Sequence, residues 1–195
     1  MRVRALCVLL LVAAILVPAS AAQADDLSGA REVLALTQQR LSYMETVAAT
    51  KWSTRSPIQD ATQEASVLAS ARELAGAREL DADSVANLFA AQITAAKEIQ
   101  LGWGEQWLLY GYPADAPVPD LASVRPQIAA LAPAIADALT HTDRMHCVRN
   151  AYASLIKAAR ATITVRFADD TLRRQIVDAL LQVRTQGRRA PCSNI

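Results

Sequence analysis

Leu27 to Trp52, LSGAREVLALTQQRLSYMETVAATKW, decides the fold class. Val33, Leu36, Met44 and Val47 recur at helical spacing, with Leu34, Leu41 and Ala48 beside them, so the spacing predicts one long amphipathic helix. Two cations share that apolar stripe. Arg40 and Lys51 stand eleven residues apart, which at about 100° per residue is three turns plus roughly 20°. They therefore project from one face, separated by roughly 16 Å along the axis. A cation on a core-facing stripe needs a partner, because an unpaired buried charge costs several kcal/mol. Either each pairs with an internal carboxylate or snorkels to water, or the two together clamp an anionic ligand inside a helical bundle.

The same periodicity recurs further along. Asp60-Ala61-Thr62-Gln63 has the form of a capping box and opens a helix over residues 63–80. Capping alone accounts for Asp60 and Gln63, and Glu64 fits an ordinary first-turn acid favoured by the helix dipole. After a turn and cap at 80–84, a long stripe runs through Val85, Leu88, Phe89, Gln92, Ile93, Ala96, Ile99, Gln100, Trp103 and Trp107. Buried amides must be hydrogen-bonded, so Gln92 and Gln100 either tie helices together or aim a donor at a ligand. YGYPADAPVP, residues 110–119, is a proline-rich connector. Ser123 is the expected cap of the next helix, which would place Pro126 in the first turn, and Pro133 is expected to kink or restart it. Arg125 at such a start runs against the dipole and reads as a solvated side chain. Two more helices are expected over 147–167 and 171–186, with Asp169-Asp170 as a cap and Gly187 as a stop. Val148, Ala151, Tyr152, Leu155, Ile156, Leu172, Ile176, Leu180 and Val183 are their expected core positions.

Nothing in the chain alternates like a strand for more than a few residues. The expectation is an all-α, single-domain bundle of about six helices. Arg2 and Arg4, an apolar run over 5–17 and the small-residue stretch ending Ala22-Gln23-Ala24 read as a cleaved signal peptide, 1–24, ahead of a single domain over 25–195. The mature chain is then periplasmic or secreted, and no later stretch is long enough to span a membrane. Lys and Arg number 20 against 19 Asp and Glu; losing Arg2 and Arg4 turns the net charge from +1 to −1. A near-neutral chain without a basic block offers no electrostatic basis for binding nucleic acid or an anionic membrane. Cys7 leaves with the signal. Cys147 and Cys192 remain, and in an oxidising compartment one disulfide is the simplest reading, two free thiols the other. Two histidines five residues apart, with no cluster of metal-site spacing, point to no metal. A nucleophile elbow, a phosphate loop and a dinucleotide fingerprint are absent. An enzyme built on this chain would use no metal or cofactor, and no covalent nucleophile.

The ordered set QQRLSYMETVAATKW, SPIQDATQEASVL, FAAQITAAKEIQ and DLASVRPQI, spanning roughly 27–128, resembles the secreted chorismate mutases, the gamma subclass of the AroQ type. Paired carboxy-terminal cysteines also occur in that subclass. The resemblance implies an all-helical homodimer with a site inside each protomer that rearranges chorismate to prephenate. Position by position, it makes Arg40 and Arg125 carboxylate-binding arginines, and Lys51 the residue reaching a carboxylate and the ether oxygen. Gln100 becomes the second donor to that oxygen, and Asp60 and Glu64 the acids that meet the substrate hydroxyl. Gln63 departs from the pattern, which usually has arginine there; losing a charged donor weakens binding by ~1.5–3 kcal/mol. Arg55, in the preceding connector, is the candidate to compensate. Ala96 stands where some relatives carry a hydroxyl. The rival expectation is an exported non-catalytic helical protein whose degenerate site binds an anionic metabolite or a partner protein. A purely structural adaptor would instead pair Arg40 and Lys51 with internal acids and leave no cavity.

Overall fold

The computed structural model describes residues 26–113, 115, 120–187 and 192. The expected signal peptide, most of the proline-rich connector's tip and most of the carboxy-terminal tail lie outside the described residues. Among the described residues seven α-helices follow one another: α1 (Ser28–Ser42), α2 (Met44–Thr54), α3 (Ala61–Gly76), α4 (Ala82–Tyr110), α5 (Leu121–Leu139), α6 (Ala151–Thr162) and α7 (Asp170–Leu181). The first two form the long helix read from the sequence. Tyr43, between them, stays in the right-handed region at φ −78° and ψ −9°, so the bundle has six helices in effect and the stripe of α1 continues into α2. Among the described residues there is no strand, and no helix is long and apolar enough to cross a membrane.

Four helices start on an aspartate whose carboxylate accepts an otherwise orphaned backbone N–H: Asp60, Asp81, Asp120 and Asp169. Each such cap stabilises by ~1 kcal/mol. The capping box at Asp60 is closed by Glu64 rather than Gln63: the Gln63 N–H donates to Asp60 at 3.0 Å, and the Asp60 N–H donates to the Glu64 carboxylate at 3.4 Å.

The 29-residue α4 is the axis of the molecule, with α3 and α2 packed along it and α7 against its start. Helix α1 lies across α5 and α6, and α3 meets α5. Leu34, Leu41, Met44, Ala71, Leu88, Phe89, Ile135, Leu155, Ile176 and Leu180 join in one core from all these elements. Gly29 lets α1 touch α5: a Cβ there would meet the His141 carbonyl at 2.8 Å and the Ala138 carbonyl at 2.9 Å.

Several expected boundaries move. Asp120, not Ser123, caps α5, because its carboxylate reaches the Ala122 N–H at 2.9 Å while the Ser123 hydroxyl donates back to the Asp120 carbonyl. Pro126 therefore sits in the second turn, and α5 runs on through Pro133 to Leu139. Both prolines deprive a carbonyl four residues back, at Ala122 and Ala129. These residues are exposed, so water can serve them. Helix α6 begins at Ala151, not at Cys147, which lies in a 3₁₀ turn over Met145–Cys147. Tyr152 is exposed rather than core. Helix α7 stops at Leu181, well before Gly187. The chain beyond it folds back on the turn before α4, where Asp81 N–H donates to the Arg184 carbonyl at 2.8 Å and Gln186 N–H to the Glu79 carbonyl at 2.6 Å. Cys147 and Cys192 are bonded to each other.

Candidate active site

The long α1–α2 rod delivers Arg40 and Lys51 to one side of the bundle, as the eleven-residue spacing requires. Arg40 is buried, 6 % exposed, and makes no ion pair among the described residues. Its Nε has no hydrogen-bond partner among the described residues, and the guanidinium lies 5.8 Å from the Phe89 ring centroid. Burial lowers its pKa to about 10, which still leaves it charged at neutral pH. Such a group is costly to hold inside a protein. Lys51 is half-buried, and its Nζ donates to the Ile58 carbonyl at 2.6 Å. Burial lowers its pKa most; Asp60 and Glu64 pull it back up, and Arg125 pushes it down.

The opening turn of α3 supplies the acids. Besides capping α3, Asp60 sits 3.8 Å from the Arg125 guanidinium. Glu64 accepts from Asp60 N–H with one oxygen and from Lys97 Nζ with the other, at 3.0 Å. Arg125, from the second turn of α5, is about half exposed, which fits its position outside the strongest field of the helix terminus.

Gln92 and Gln100, eight residues apart on α4, resolve into different roles. Gln92 donates to Thr37 Oγ1 at 3.1 Å and ties α4 to α1. Gln100 spends one N–H on its own helix, at the Ala96 carbonyl 3.0 Å away. Its other near partner is the Met44 sulfur at 3.6 Å, a weak acceptor.

Arg40, Lys51, Asp60, Gln63, Glu64, Gln100 and Arg125 all line a single cavity of about 590 Å³, within the range of small-molecule sites. Ala96 and the apolar Met44, Val47, Val67 and Ile93 complete its walls. A neighbouring hollow of about 680 Å³ shares Lys51, Ile58 and Gln100 as a partition. Arg55, the candidate to compensate at Gln63, lines that neighbouring hollow instead. The sequence reading assigned no role to Lys97, which lines the first cavity; its signal was a position three residues before Gln100, one turn back on the same helix face. Among the described residues the internal pairing demanded of a purely structural adaptor is not found at Arg40, and the cavity is present. The one group of potential metal ligands among the described residues is His146 with Cys147 and Cys192, whose sulfurs are already bonded to each other. Converging cations, neutral amide N–H groups and two acids can grip a polyanionic small molecule and stabilise negative charge that develops on it.

Residues 30–101 match the sequence profile of chorismate mutase type II. A secreted chorismate mutase of Yersinia pestis is 41% identical over 96 residues, 49% of this chain and 51% of that protein. This match spans only about half the length of the Yersinia relative. A secreted chorismate mutase of Mycobacterium tuberculosis is 30% identical over 160 residues, 81% of this chain and 79% of that protein. Among solved structures, the secreted chorismate mutase of Yersinia pestis superimposes with a TM-score of 0.70 at 28% identity, covering 79% of this chain and 97% of that one. The chorismate mutase of Burkholderia thailandensis gives a TM-score of 0.68 at 28% identity, with the same coverage of 79% and 97%.

Proposed function

The chain belongs to the chorismate mutase type II family, and from that premise we propose that it converts chorismate to prephenate. The observation that carries this reading is Arg40, a buried cation with no counter-ion among the described residues, on the wall of the cavity that also receives Lys51 and Gln100. The reaction is a pericyclic rearrangement within one molecule: an ether C–O bond breaks as a C–C bond forms, and no atom or electron is exchanged with the protein. It needs no nucleophile and no cofactor. The protein's task is to hold a flexible dicarboxylate in its compact reactive shape and to stabilise negative charge growing on the ether oxygen.

Arg40 and Arg125 grip the two carboxylates. Lys51 reaches a carboxylate and the ether oxygen; an ammonium has three donors, and among the described residues one is engaged, at Ile58. Gln100 supplies the second donor to the ether oxygen, turning its weakly held N–H from Met44. As a neutral amide it keeps that role across the working pH range. Asp60 and Glu64 meet the substrate hydroxyl, and Gln63 contributes a neutral side chain at the rim.

The enzyme is exported by its first 24 residues, a reading supported by the basic-apolar-small pattern there and by relatives named as secreted. Pairing of two copies belongs to the same reading, supported by the exposed Leu108, Leu109 and Tyr110 at the end of α4; light scattering of the mature chain tests it.

The test of function is loss of chorismate ultraviolet absorbance with the purified mature chain, residues 25–195. Turnover well above the uncatalysed rate is expected. A folded chain that neither turns over chorismate nor binds a dicarboxylate transition-state mimic overturns the proposal.

A further inference from the structure

Lys97 has no part in the chemistry above, yet it stands on the wall of the same cavity, one turn before Gln100 on α4. Its ammonium is 3.0 Å from the Glu64 carboxylate, and the two side chains are only 30 % and 24 % exposed. The pair differs in this from Arg72–Asp83, at 49 % and 82 %, and Arg160–Asp170, at 54 % and 44 %, which are ordinary surface contacts. Glu64 is occupied on both oxygens, by the Asp60 N–H and by Lys97.

The formal charge of the cavity turns on this residue. Arg40, Lys51 and Arg125 set against Asp60 and Glu64 leave +1, and Gln63 adds nothing. Lys97 brings the total to +2, equal and opposite to a dicarboxylate. In a partly water-excluded site a single uncompensated charge weighs far more than in bulk water. Without Lys97, an ionised Glu64 would face the incoming carboxylates with its charge uncancelled.

We infer that Lys97 is a positioning and specificity-determining residue: it neutralises and holds Glu64, and so makes the cavity select a dianion over a monoanion. This rests on the proposed chorismate reading and extends it to a residue outside the substrate contacts.

The test compares the mature wild type with Lys97→Gln, Lys97→Arg and the double variant Lys97→Gln/Gln63→Arg. Two probes are titrated by calorimetry, a dicarboxylate transition-state mimic and its monoester, with chorismate kinetics and thermal melts in parallel. Lys97→Gln should weaken the dicarboxylate about tenfold or more, the scale of a lost charge-assisted interaction, and leave the monoester nearly unaffected. For chorismate the loss should fall on KM rather than kcat. Lys97→Arg should keep the preference for the dicarboxylate, and Gln63→Arg should recover most of it in the Lys97→Gln background. Equal losses for both probes, or no loss, overturn the inference, as does a deficit that Gln63→Arg leaves in place. A wild type that binds neither probe and turns over no chorismate overturns the functional reading itself, a result distinct from the others.

Discussion

The amino-terminal half of the bundle and its last two helices treat charge in opposite ways. Across α6 and α7, Arg160 and Arg173 converge on Asp170 at 2.7 Å and 3.3 Å, all at least partly open to solvent. The Arg160 hydrogen bond holds the Asp170 carboxyl below the usual carboxylate range. Both arginines there meet a counter-charge within the protein. Around α1, α2 and α4 the core takes in Arg40 and leaves it without a counter-ion among the described residues, beside a half-buried Lys51 whose bond goes to a neutral carbonyl. The contrast locates function: charges matched internally serve capping and solvation, whereas an inward charge left unmatched marks the place where a ligand supplies the partner.

The sharpest way to break this comparison is to neutralise one cation from each region. Arg40→Met should lower kcat/KM by about a thousandfold, the scale of a truncated buried charge contact. The ligand-free melting temperature should hold or rise, because a desolvated, unpaired charge is replaced by an apolar side chain of similar length. Arg160→Met should move neither quantity. A collapse of stability in Arg40→Met would mean that the guanidinium is structural.

The next effect separates the two regions by stability. The disulfide closes a loop across 45 residues of the carboxy-terminal part, worth about 4 kcal/mol in the chain-entropy account. Replacing Cys147 and Cys192 by serine should lower the denaturation midpoint accordingly while kcat/KM at 25 °C stays near wild type. A parallel loss of activity would show that the cavity depends on that half more closely than the packing suggests.

A smaller change sharpens the charge account. Gln63→Arg adds a cation at the exposed rim of the cavity. It should lower KM about tenfold while costing ~0.3–1 kcal/mol of stability, since a positive charge in the first turn of α3 opposes the helix dipole. Kinetics and melts on the same preparation check both signs.

The features legible in the sequence were those governed by helical periodicity. The shared face of Arg40 and Lys51, the glutamines on the α4 stripe and the cap at Asp60 all follow from residue spacing. That spacing does not tell which glutamine meets a ligand: Gln92 and Gln100 occupy equivalent stripe positions, and only the presence of Thr37 opposite Gln92 separates them. The fold-back of 184–186 onto 79–81 ends α7 early, a long-range pairing that no local signal announces. At α5 two good caps competed, and Asp120 prevailed because Ser123 used its hydroxyl to bond back to it. Lys97 went unassigned because a lysine on a half-buried helix face reads as solvated, and its role depends on Glu64, 33 residues away.

The most direct test of the central claim is kcat/KM for chorismate, measured against pH, in wild type and Lys51→Ala with melts alongside. Wild-type activity should fall on the alkaline side as Lys51 loses its proton. Burial lowers that pKa from the ordinary value of 10.5, so the charged form, and with it the activity, is lost at a lower pH than for an exposed lysine. Lys51→Ala should reduce kcat/KM by about a thousandfold or more, the scale of a lost preorganised donor at a developing oxyanion, with the fold intact. A folded Lys51→Ala variant that keeps wild-type turnover would contradict the account.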